Sequence, residues 1–411
     1  MVHGADERPS ELIIHGRVYD VSGFIKRHPG GSVIRYMLDR DASHAYDEFH
    51  QRSESADKFL ASLPSRPVEA TDVRVDRSAV MADYEKLRRD LVAEGFFEPS
   101  LVHVVWRFAQ LALLSVLGVW LLLNGWVVSG VLVMGLMQGQ SGWLQHECGH
   151  YSLTGKVGLD QLLHELLFGV FSSMSASWWR KQHNKHHARP QQLDADVLPE
   201  QQASLWIKFQ AFHYFPMLEM LALFWSFYLQ PRHVVRTKRY REGVFMAMNH
   251  GYRLALGVAA TGSVWGTLAV YFGIQTVQAM YLFGHFTVSH THLPVLAADE
   301  DLCWVEHTLR TTMNIESSWW CDWIMGYLNL QIEHHLFPSM PQFRFSQVSP
   351  RIRALAEKHG IPYLEDSYVN AFYRTIANLH HVGQSAGEAQ NKTVSYDAVP
   401  NVTALKRNLH S

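Results

Sequence analysis

Three histidine clusters are the part of this sequence best suited to chemistry. They occupy residues 146–150 (HECGH), 183–187 (HNKHH) and 331–335 (QIEHH). Residues four apart lie on one face of a helix, so two imidazoles of a cluster can reach the same metal ion. One four-coordinate zinc cannot use all of these side chains. The clusters therefore predict two metal ions with open coordination positions, bound by His146, His150, His183, His186, His187, His334 and His335.

A second kind of site is predicted by His28 and His50. His28 begins the sequence His-Pro-Gly-Gly, in which proline fixes φ and the glycines permit a sharp corner, so the direction of the ring is fixed. His50 ends a helix-like run further along the chain and can face His28 across a porphyrin. Two axial imidazoles leave no iron position open to O2, which suits electron transfer. A haem donor beside the histidine clusters favours redox iron over hydrolytic zinc.

The elements that position these residues divide the chain of 411 residues into zones. Residues 10–65 are predicted to form a small soluble domain, and residues 66–100 a charged connector. Residues 101–383 are predicted to form a membrane domain, and residues 384–411 a mobile tail. Four stretches, 108–123, 126–144, 254–272 and 274–289, approach the ~20 apolar residues that a membrane span needs. Turn signals at Asn124-Gly125 and Gly273 join them in pairs. We therefore predict a mostly α integral membrane protein with four transmembrane helices in two hairpins and a cytosolic histidine-rich cap, preceded by a small α+β domain.

The charge distribution predicts the orientation of the chain. Residues 232–241 carry five Lys or Arg, which the positive-inside rule places in the cytosol. The apolar stretch 209–229 should therefore not cross the membrane alone. Residues 1–10 lack the apolar run of a signal peptide, so both termini and all histidine clusters are expected in the cytosol. A net charge of −2 gives no indication of a nucleic-acid partner.

Residues 10–65 resemble the cytochrome b5 family. The resemblance rests on Tyr19-Asp20-Val21, on the His-Pro-Gly-Gly sequence at 28–31, and on Asp41-Ala42-Ser43 leading to His50. It implies a haem b with His28 and His50 as axial ligands. The stretch between the two histidines is slightly shorter than in free members of the family, so His44 is an alternative to His50.

The three histidine clusters resemble those of the membrane fatty acid desaturase family. The haem domain in front and Gln331 at the start of the third cluster narrow the resemblance to the front-end branch, as do QSGW at 140–143, WW at 178–179 and LFPSMP at 336–341. The resemblance implies two iron ions held by the seven cluster histidines. It also implies a further ligand near the end of the last span, for which His290 fits best and His285 and His292 are alternatives. Gln331 either replaces a histidine ligand or orients one.

The front-end resemblance implies O2-dependent insertion of a cis double bond between an existing one and the carboxyl end of a polyunsaturated fatty acyl chain. Electrons would pass from NADH-cytochrome b5 reductase to the fused haem domain, at the endoplasmic reticulum membrane. Δ5 is favoured, with Δ6 close and Δ8 and Δ4 as alternatives; acyl-CoA and phospholipid-bound chains both remain open. The competing functions are a sphingolipid long-chain-base desaturase, a hydroxylase on the same metal scaffold and, from a different class, a membrane-anchored electron carrier.

Other side chains near the clusters have predicted roles. Glu147 and Glu333, and likewise Asp194 and Asp196, are candidates to accept hydrogen bonds from metal-binding imidazoles. Four tryptophans are expected to anchor at the membrane interface rather than line an acyl tunnel: Trp178, Trp179, Trp319 and Trp320. Five histidines outside the clusters are expected to be structural or on the surface: His103, His164, His213, His233 and His359.

Overall fold

The computed structural model describes residues 9–70, 72, 78–196 and 205–385. This part of the chain is mostly helical, as predicted. The predicted tail beyond residue 385 lies outside the described residues, as do the first eight residues and parts of the connector.

A small sheet and two helices form the N-terminal domain. Strands β1 (Glu11–Ile14), β2 (Arg17–Asp20) and β3 (Ser65–Pro67) pair antiparallel in that order. Helices α1 (Ser43–His50) and α2 (Glu54–Leu60) complete the domain, whose core includes Leu12, Ile14, Tyr19 and Val21. Because Arg17 pairs with Pro67, the domain extends past residue 65, where the sequence predicted its end.

The connector is a packed part of the fold. Helix α3 (Ala79–Ala93) buries Val80, Met81, Tyr84 and Leu91 in the same core as the elements of the third histidine cluster. The hydroxyl of Tyr84 donates to the carbonyl of Leu336 at 2.8 Å. The segment therefore ties the N-terminal domain to the histidine-rich cap.

The first hairpin turns where the sequence predicted. Helix α4 (Leu101–Leu123) and helix α5 (Val127–Gly149) are joined by Asn124 and Gly125, and Gly125 has a φ of +82°. Glycine also lets the helices approach closely, since a Cβ on Gly118 would lie 2.6 Å from Met134 Sδ. Five described helices and a π-helical turn lie between the two hairpins: α6 (Val157–Ser172), α7 (Ala176–Ala188), α8 (Leu205–Lys208), α9 (Gln210–Phe224), the turn Trp225–Leu229 and α10 (Gln230–Thr237).

The second hairpin corrects a prediction. Helix α11 (Tyr240–Thr261) ends at Gly262, whose φ is +61°, and helix α12 (Val264–Phe286) begins after Ser263. The Ser263 hydroxyl accepts a hydrogen bond from Gly266 N at 3.0 Å. A left-handed glycine followed by a serine N-cap ends one helix and starts the next, whereas Gly273, the predicted turn, lies within α12. The predicted bounds 254–272 and 274–289 are therefore wrong.

The described residues that follow α12 form the cap. Its helices are α13 (Trp304–Thr311), α14 (Trp319–Ile324), α15 (Gln331–Leu336), α16 (Phe345–Lys358) and α17 (Tyr368–Ser385). Two short strands, β4 (Asn314–Ile315) and β5 (Glu365–Asp366), pair in parallel. Residues of α13, α15 and α16 share one apolar core with α3, which holds the third cluster in place.

Among the described residues, α4 is the one helix that is long and apolar enough by itself to cross a membrane, with a mean hydropathy of 1.7. Helices α5, α11 and α12 have 23, 22 and 23 residues. They bury polar side chains such as Gln138, Arg253 and Gln275, which lower their hydropathy.

Candidate metal centre and haem site

The cluster histidines come together as two adjoining groups of ring nitrogens. The first group contains His146, His150, His183, His187 and His334, and the second contains His186, His290 and His335. Within each group the donor atoms lie within 4.8 Å of one another. The groups adjoin because the rings of His187 and His335 stack with centroids 4.2 Å apart.

Helical spacing assembles the first group. At the end of α5, the rings of His146 and His150 are 4.9 Å apart. On α7, His183 Nε2 lies 3.0 Å from both His150 Nε2 and His187 Nε2. The N-cap Ser175, which accepts from Trp178 N at 3.2 Å, starts α7 at the register that turns its histidines inward. The spacing of four residues thus acts as predicted.

His290 belongs to the second group because of a 3-10 turn, Thr287–Ser289, that follows α12. His290 Nδ1 donates to the carbonyl of Thr311 at 3.1 Å, which directs Nε2 toward Gln331 Oε1 at 3.3 Å. Gln331 Nε2 donates to the carbonyl of Leu328 at 2.7 Å. The amide oxygen of Gln331 must therefore face the histidine group, because the nitrogen is already used.

The alternatives to His290 lie elsewhere. His285 Nδ1 donates to the carbonyl of Tyr281, and its ring packs against Trp143. His292 Nδ1 is 3.3 Å from Thr375 Oγ1. Neither belongs to the two groups of converging nitrogens.

The donor set fits two transition-metal ions. Among the described residues, neither ring nitrogen of His334 or His335 has a hydrogen-bond partner, and both residues are 1% exposed. Buried polar atoms without partners destabilise a fold unless a ligand satisfies them. The converging groups contain imidazole nitrogens and, at the second, one amide oxygen, a combination that suits iron, zinc, copper or nickel.

Asp196 contacts a ring of the second group. Its Oδ2 lies 2.8 Å from His186 Nδ1 and accepts from Gln191 N at 3.0 Å. Burial alone would raise the pKa of this carboxyl, but the charge and hydrogen bond of His186 outweigh it and lower the pKa to about 2. A carboxylate on Nδ1 leaves Nε2 available to a metal. Asp194 was predicted for the same role, but among the described contacts the carboxylate that reaches His186 is that of Asp196.

We expect Asp196→Asn to weaken metal retention about 10–100-fold, because the second ring would lose the charge that orients it. The measurement is metal content per haem after dialysis against graded chelator. Asp194→Asn is the matched control and should match the unmodified protein, since asparagine tolerates the left-handed φ of 62° at that position. Equal retention in both variants would remove Asp196 from this role.

Glu147 supports the first group indirectly. Its Oε2 lies 3.0 Å from His103 Nε2, and its Oε1 accepts from Gln342 N at 3.2 Å. The side-chain nitrogen of Gln342 is 2.9 Å from His146 Nδ1. Glu147 was predicted to contact a metal-binding imidazole, and it reaches one only through Gln342. His103, predicted to be structural, is the partner of this carboxylate.

Glu333 also has partners other than those predicted. It accepts hydrogen bonds from Asn314 Nδ2 and from the Tyr363 hydroxyl, both at 2.7 Å. Asn314 Oδ1 accepts in turn from Ile332 N at 2.9 Å. These bonds hold α15 in place and so position His334 and His335 without touching them.

An apolar cavity begins beside the first group. Near the metal-binding rings it is lined by Trp179 and Phe286; Trp179 stacks on His183 with centroids 4.2 Å apart. Trp179 therefore lines a cavity, whereas the prediction placed it at the membrane interface. Trp319 and Trp320 are 84% and 43% exposed, in keeping with an interfacial role.

His28 and His50 face each other with ring centroids 6.2 Å apart. Each Nδ1 donates to a backbone carbonyl, of Gly31 at 3.3 Å and of Tyr46 at 3.1 Å, so both Nε2 atoms are available to an iron. A Cβ on Gly30 would come within 2.7 Å of His28 Cε1, which explains the glycine. Burial lowers the pKa of both rings and favours the neutral form that binds metal.

The predicted alternative, His44, has other neighbours. Its Nε2 lies 3.5 Å from Glu85 Oε1, and its ring packs edge-on against Tyr84. The pair of His28 and His50 therefore fits a haem between two imidazoles.

The N-terminal domain docks directly onto the histidines of the first group. Phe49, the neighbour of His50, lies edge-on to His187 with ring centroids 6.3 Å apart. Glu48 is buried and accepts from Arg88 Nε at 2.6 Å and from the Ser339 hydroxyl at 3.1 Å. Residues 336–341 thus contact the haem domain, a role that no sequence spacing indicated.

A helical bundle with two buried histidine groups, an apolar cavity and an attached bis-histidine haem domain defines an oxidoreductase acting on apolar chains. Residues 123–367 match the family described as fatty acid desaturase, and residues 3–69 match the cytochrome b5-like heme/steroid binding domain. The chain belongs to the fatty acid desaturase family. Its predicted enzyme class and its N-terminal haem-binding domain are thereby confirmed.

Curated relatives span nearly the whole chain. It is 45% identical over 393 residues to an acyl-lipid (8-3)-desaturase of Rebecca salina, covering 91% of this chain and 92% of the relative. It is 38% identical to an acyl-lipid (8-3)-desaturase of Thraustochytrium sp, with coverages of 94% and 95%. It is 27% identical to the human protein fatty acid desaturase 3, with coverages of 92% and 91%.

Proposed function

We propose that this chain is a front-end fatty acyl desaturase that inserts a cis Δ5 double bond into polyunsaturated acyl chains. The observation that carries the proposal is the apolar cavity that begins against Trp179 and Phe286, beside the first histidine group. Burial of an acyl chain contributes about 0.8 kcal/mol per CH2, and an apolar cavity beside the histidines would hold one C–C bond at a set depth. The (8-3) designation of two relatives supports this position, since three carbons nearer the carboxyl end than carbon 8 is carbon 5.

The chemistry requires two iron ions, held by the two histidine groups together with Gln331. When bound, they supply the O2-dependent oxidation that protein side chains cannot perform. Overall, one CH2–CH2 unit gives up two hydrogens, and these two hydrogens together with one O2, two electrons and two protons form two waters. The residues of this chain orient the ligating rings, enclose the apolar chain and exclude water from it.

The same proposal includes four membrane crossings by α4, α5, α11 and α12. Helices of 23 residues are about 34 Å long, enough to span a hydrocarbon core of about 30 Å. Exposed tryptophans support it: Trp126 and Trp265 lie at the two hairpin turns, while Trp106 and Trp319 lie toward the other end. Both termini and the histidine cap would then face the cytosol, at the endoplasmic reticulum, where NADH-cytochrome b5 reductase supplies electrons.

Phe49 is expected to position the haem domain for electron delivery. We expect Phe49→Ala to slow re-oxidation of the reduced haem in air several-fold when substrate is present, because the ring that fills the space before His187 is removed. Stopped-flow absorbance of the haem measures this rate. Phe59→Ala removes an aromatic ring that packs on Phe24 instead, and should leave the rate unchanged. An unchanged rate in Phe49→Ala, with haem and iron content intact, would contradict the role.

Expression in a yeast that lacks polyunsaturated fatty acids tests the function. Cells are fed eighteen- and twenty-carbon polyunsaturated acids in parallel, and total lipids are examined by gas chromatography and mass spectrometry. A product with a new double bond at carbon 5 is expected. A bond at carbon 6, 8 or 4 would retain the reaction and change the position, whereas products only among sphingoid bases would overturn the proposed substrate class.

A further inference from the structure

The cavity ends at an unusual polar group in the centre of the helical bundle. Arg253 on α11 is fully buried, and among the described residues its hydrogen-bond partners are neutral oxygens. Its guanidinium donates to Gln275 Oε1 at 3.0 Å, to Gln278 Oε1 at 2.9 Å and to Gln138 Oε1. A charge inside a membrane-type bundle is costly and usually serves a function. The metal-binding histidines are outside this group, so the proposed chemistry does not already explain it.

Arg253 determines which way the glutamine amides point. A guanidinium is a donor only, so Gln275 and Gln278 must turn their oxygens toward it and their NH2 groups away. Gln278 Nε2 donates to the Ser172 hydroxyl at 2.6 Å. Gln275 Nε2 is buried and has no partner among the described residues. Gln275 itself is 3% exposed and lines the cavity.

The unpartnered amide of Gln275 belongs to the part of the cavity lining that is remote from the first histidine group. Phe286 lines the cavity beside the first histidine group, and Gln275 lines it further back along the same helix. The intervening residues of α12 correspond to about 16 Å at a rise of 1.5 Å per residue. A chain that enters past the histidines therefore brings its distal carbons to Gln275.

We propose that Gln275, backed by Arg253, recognises the double bonds already present in the acyl chain; this inference rests on the proposed function. An N–H group in an apolar cavity can use only weak acceptors, and π-electrons are one. The positive charge behind the amide strengthens its N–H as a donor. A saturated stretch offers no acceptor and leaves the amide unpaired, so the cavity selects for unsaturated chains.

Gln275→Glu is the sharpest variant. A carboxylate keeps the acceptor for Arg253 and nearly the same shape, but it has no N–H to offer. Ser172→Ala adds an N–H donor to the cavity instead of removing one. It deletes the hydroxyl that accepts from Gln278 Nε2, so the Gln278 amide can face the cavity as a second donor. Yeast expressing each variant would receive an equal mixture of twenty-carbon acids with three, two and one cis double bonds, and product ratios would be normalised to those of the unmodified enzyme.

We expect Gln275→Glu to lower the preference for the triene over the monoene roughly threefold to fivefold, as the loss of one or two weak contacts implies, and Ser172→Ala to raise it. Unchanged ratios in both variants would overturn the inference while leaving the proposed function intact. If Gln275→Glu forms no product although its haem spectrum is normal, the ratio of triene to monoene conversion in Ser172→Ala decides. A rise in that ratio supports the inference, and an unchanged ratio overturns it. If the unmodified enzyme converts none of the acids, the proposed function fails, and the inference fails with it.

Discussion

His290→Ala is expected to retain about one iron per chain where the unmodified protein retains two, and to lose desaturation entirely. The second group has three histidines, His186, His290 and His335, so the loss of one leaves too few donors to hold an ion. The first group keeps its five rings and should keep its metal. Iron per haem, measured by plasma emission spectroscopy on purified protein, gives the stoichiometry, and product formation in fed yeast gives the activity.

His292→Ala is the matched control for this experiment. It lies on the same segment, is buried, and contacts Thr375 rather than the two histidine groups. We expect two irons per chain and retained activity, with at most a lower unfolding temperature from the cavity left behind. If His292→Ala loses iron and His290→Ala keeps it, the assignment of the extra ligand is reversed.

His50→Ala is expected to remove the low-spin haem spectrum and to abolish desaturation while leaving the non-haem iron content unchanged. Removal of one axial imidazole opens the position opposite His28, so a low-spin haem suited to electron transfer cannot form. The visible spectrum of the purified protein and the product yield in fed yeast measure the two effects together.

His44→Ala separates the two candidate ligands. The ring of His44 packs against Tyr84 and lies near Glu85, so its loss should affect the docking of α3 and leave the haem spectrum unchanged. A normal haem spectrum in His50→Ala, or a lost one in His44→Ala, would show that the axial ligand was assigned to the wrong residue.

The features that the sequence predicted best depend on short spacings. His146 with His150, and His183 with His187, share a helix face, so local geometry alone brings each pair together. Proline and the glycines of residues 28–31 direct His28 in the same local way. The chemical character of both sites could therefore be inferred without knowledge of the fold.

The features that it missed depend on distant contacts or on helix ends. The contact between Gln342 and His146 joins residues 196 positions apart, and no spacing predicts it. The sequence favoured His290 but left His285 and His292 as alternatives, because the 3-10 turn after α12 that separates their positions could not be predicted. The second hairpin was misplaced because Gly273 resembled a turn, whereas Gly262 with the Ser263 cap ends the helix. The position of Trp179 in the cavity lining depends on how α6 and α7 pack against the first histidine cluster, which no spacing predicts.

The buried position of Glu48 has a consequence for how electrons are supplied to this protein in the cell. Its bonds to Arg88 and Ser339 are interior bonds, which a carrier that dissociated after every electron would have to break each time. An electron-donor domain held in this way meets its acceptor at an effective concentration that is set by the geometry of the chain. The level of gene expression does not change that concentration. Extra free cytochrome should therefore leave turnover unchanged.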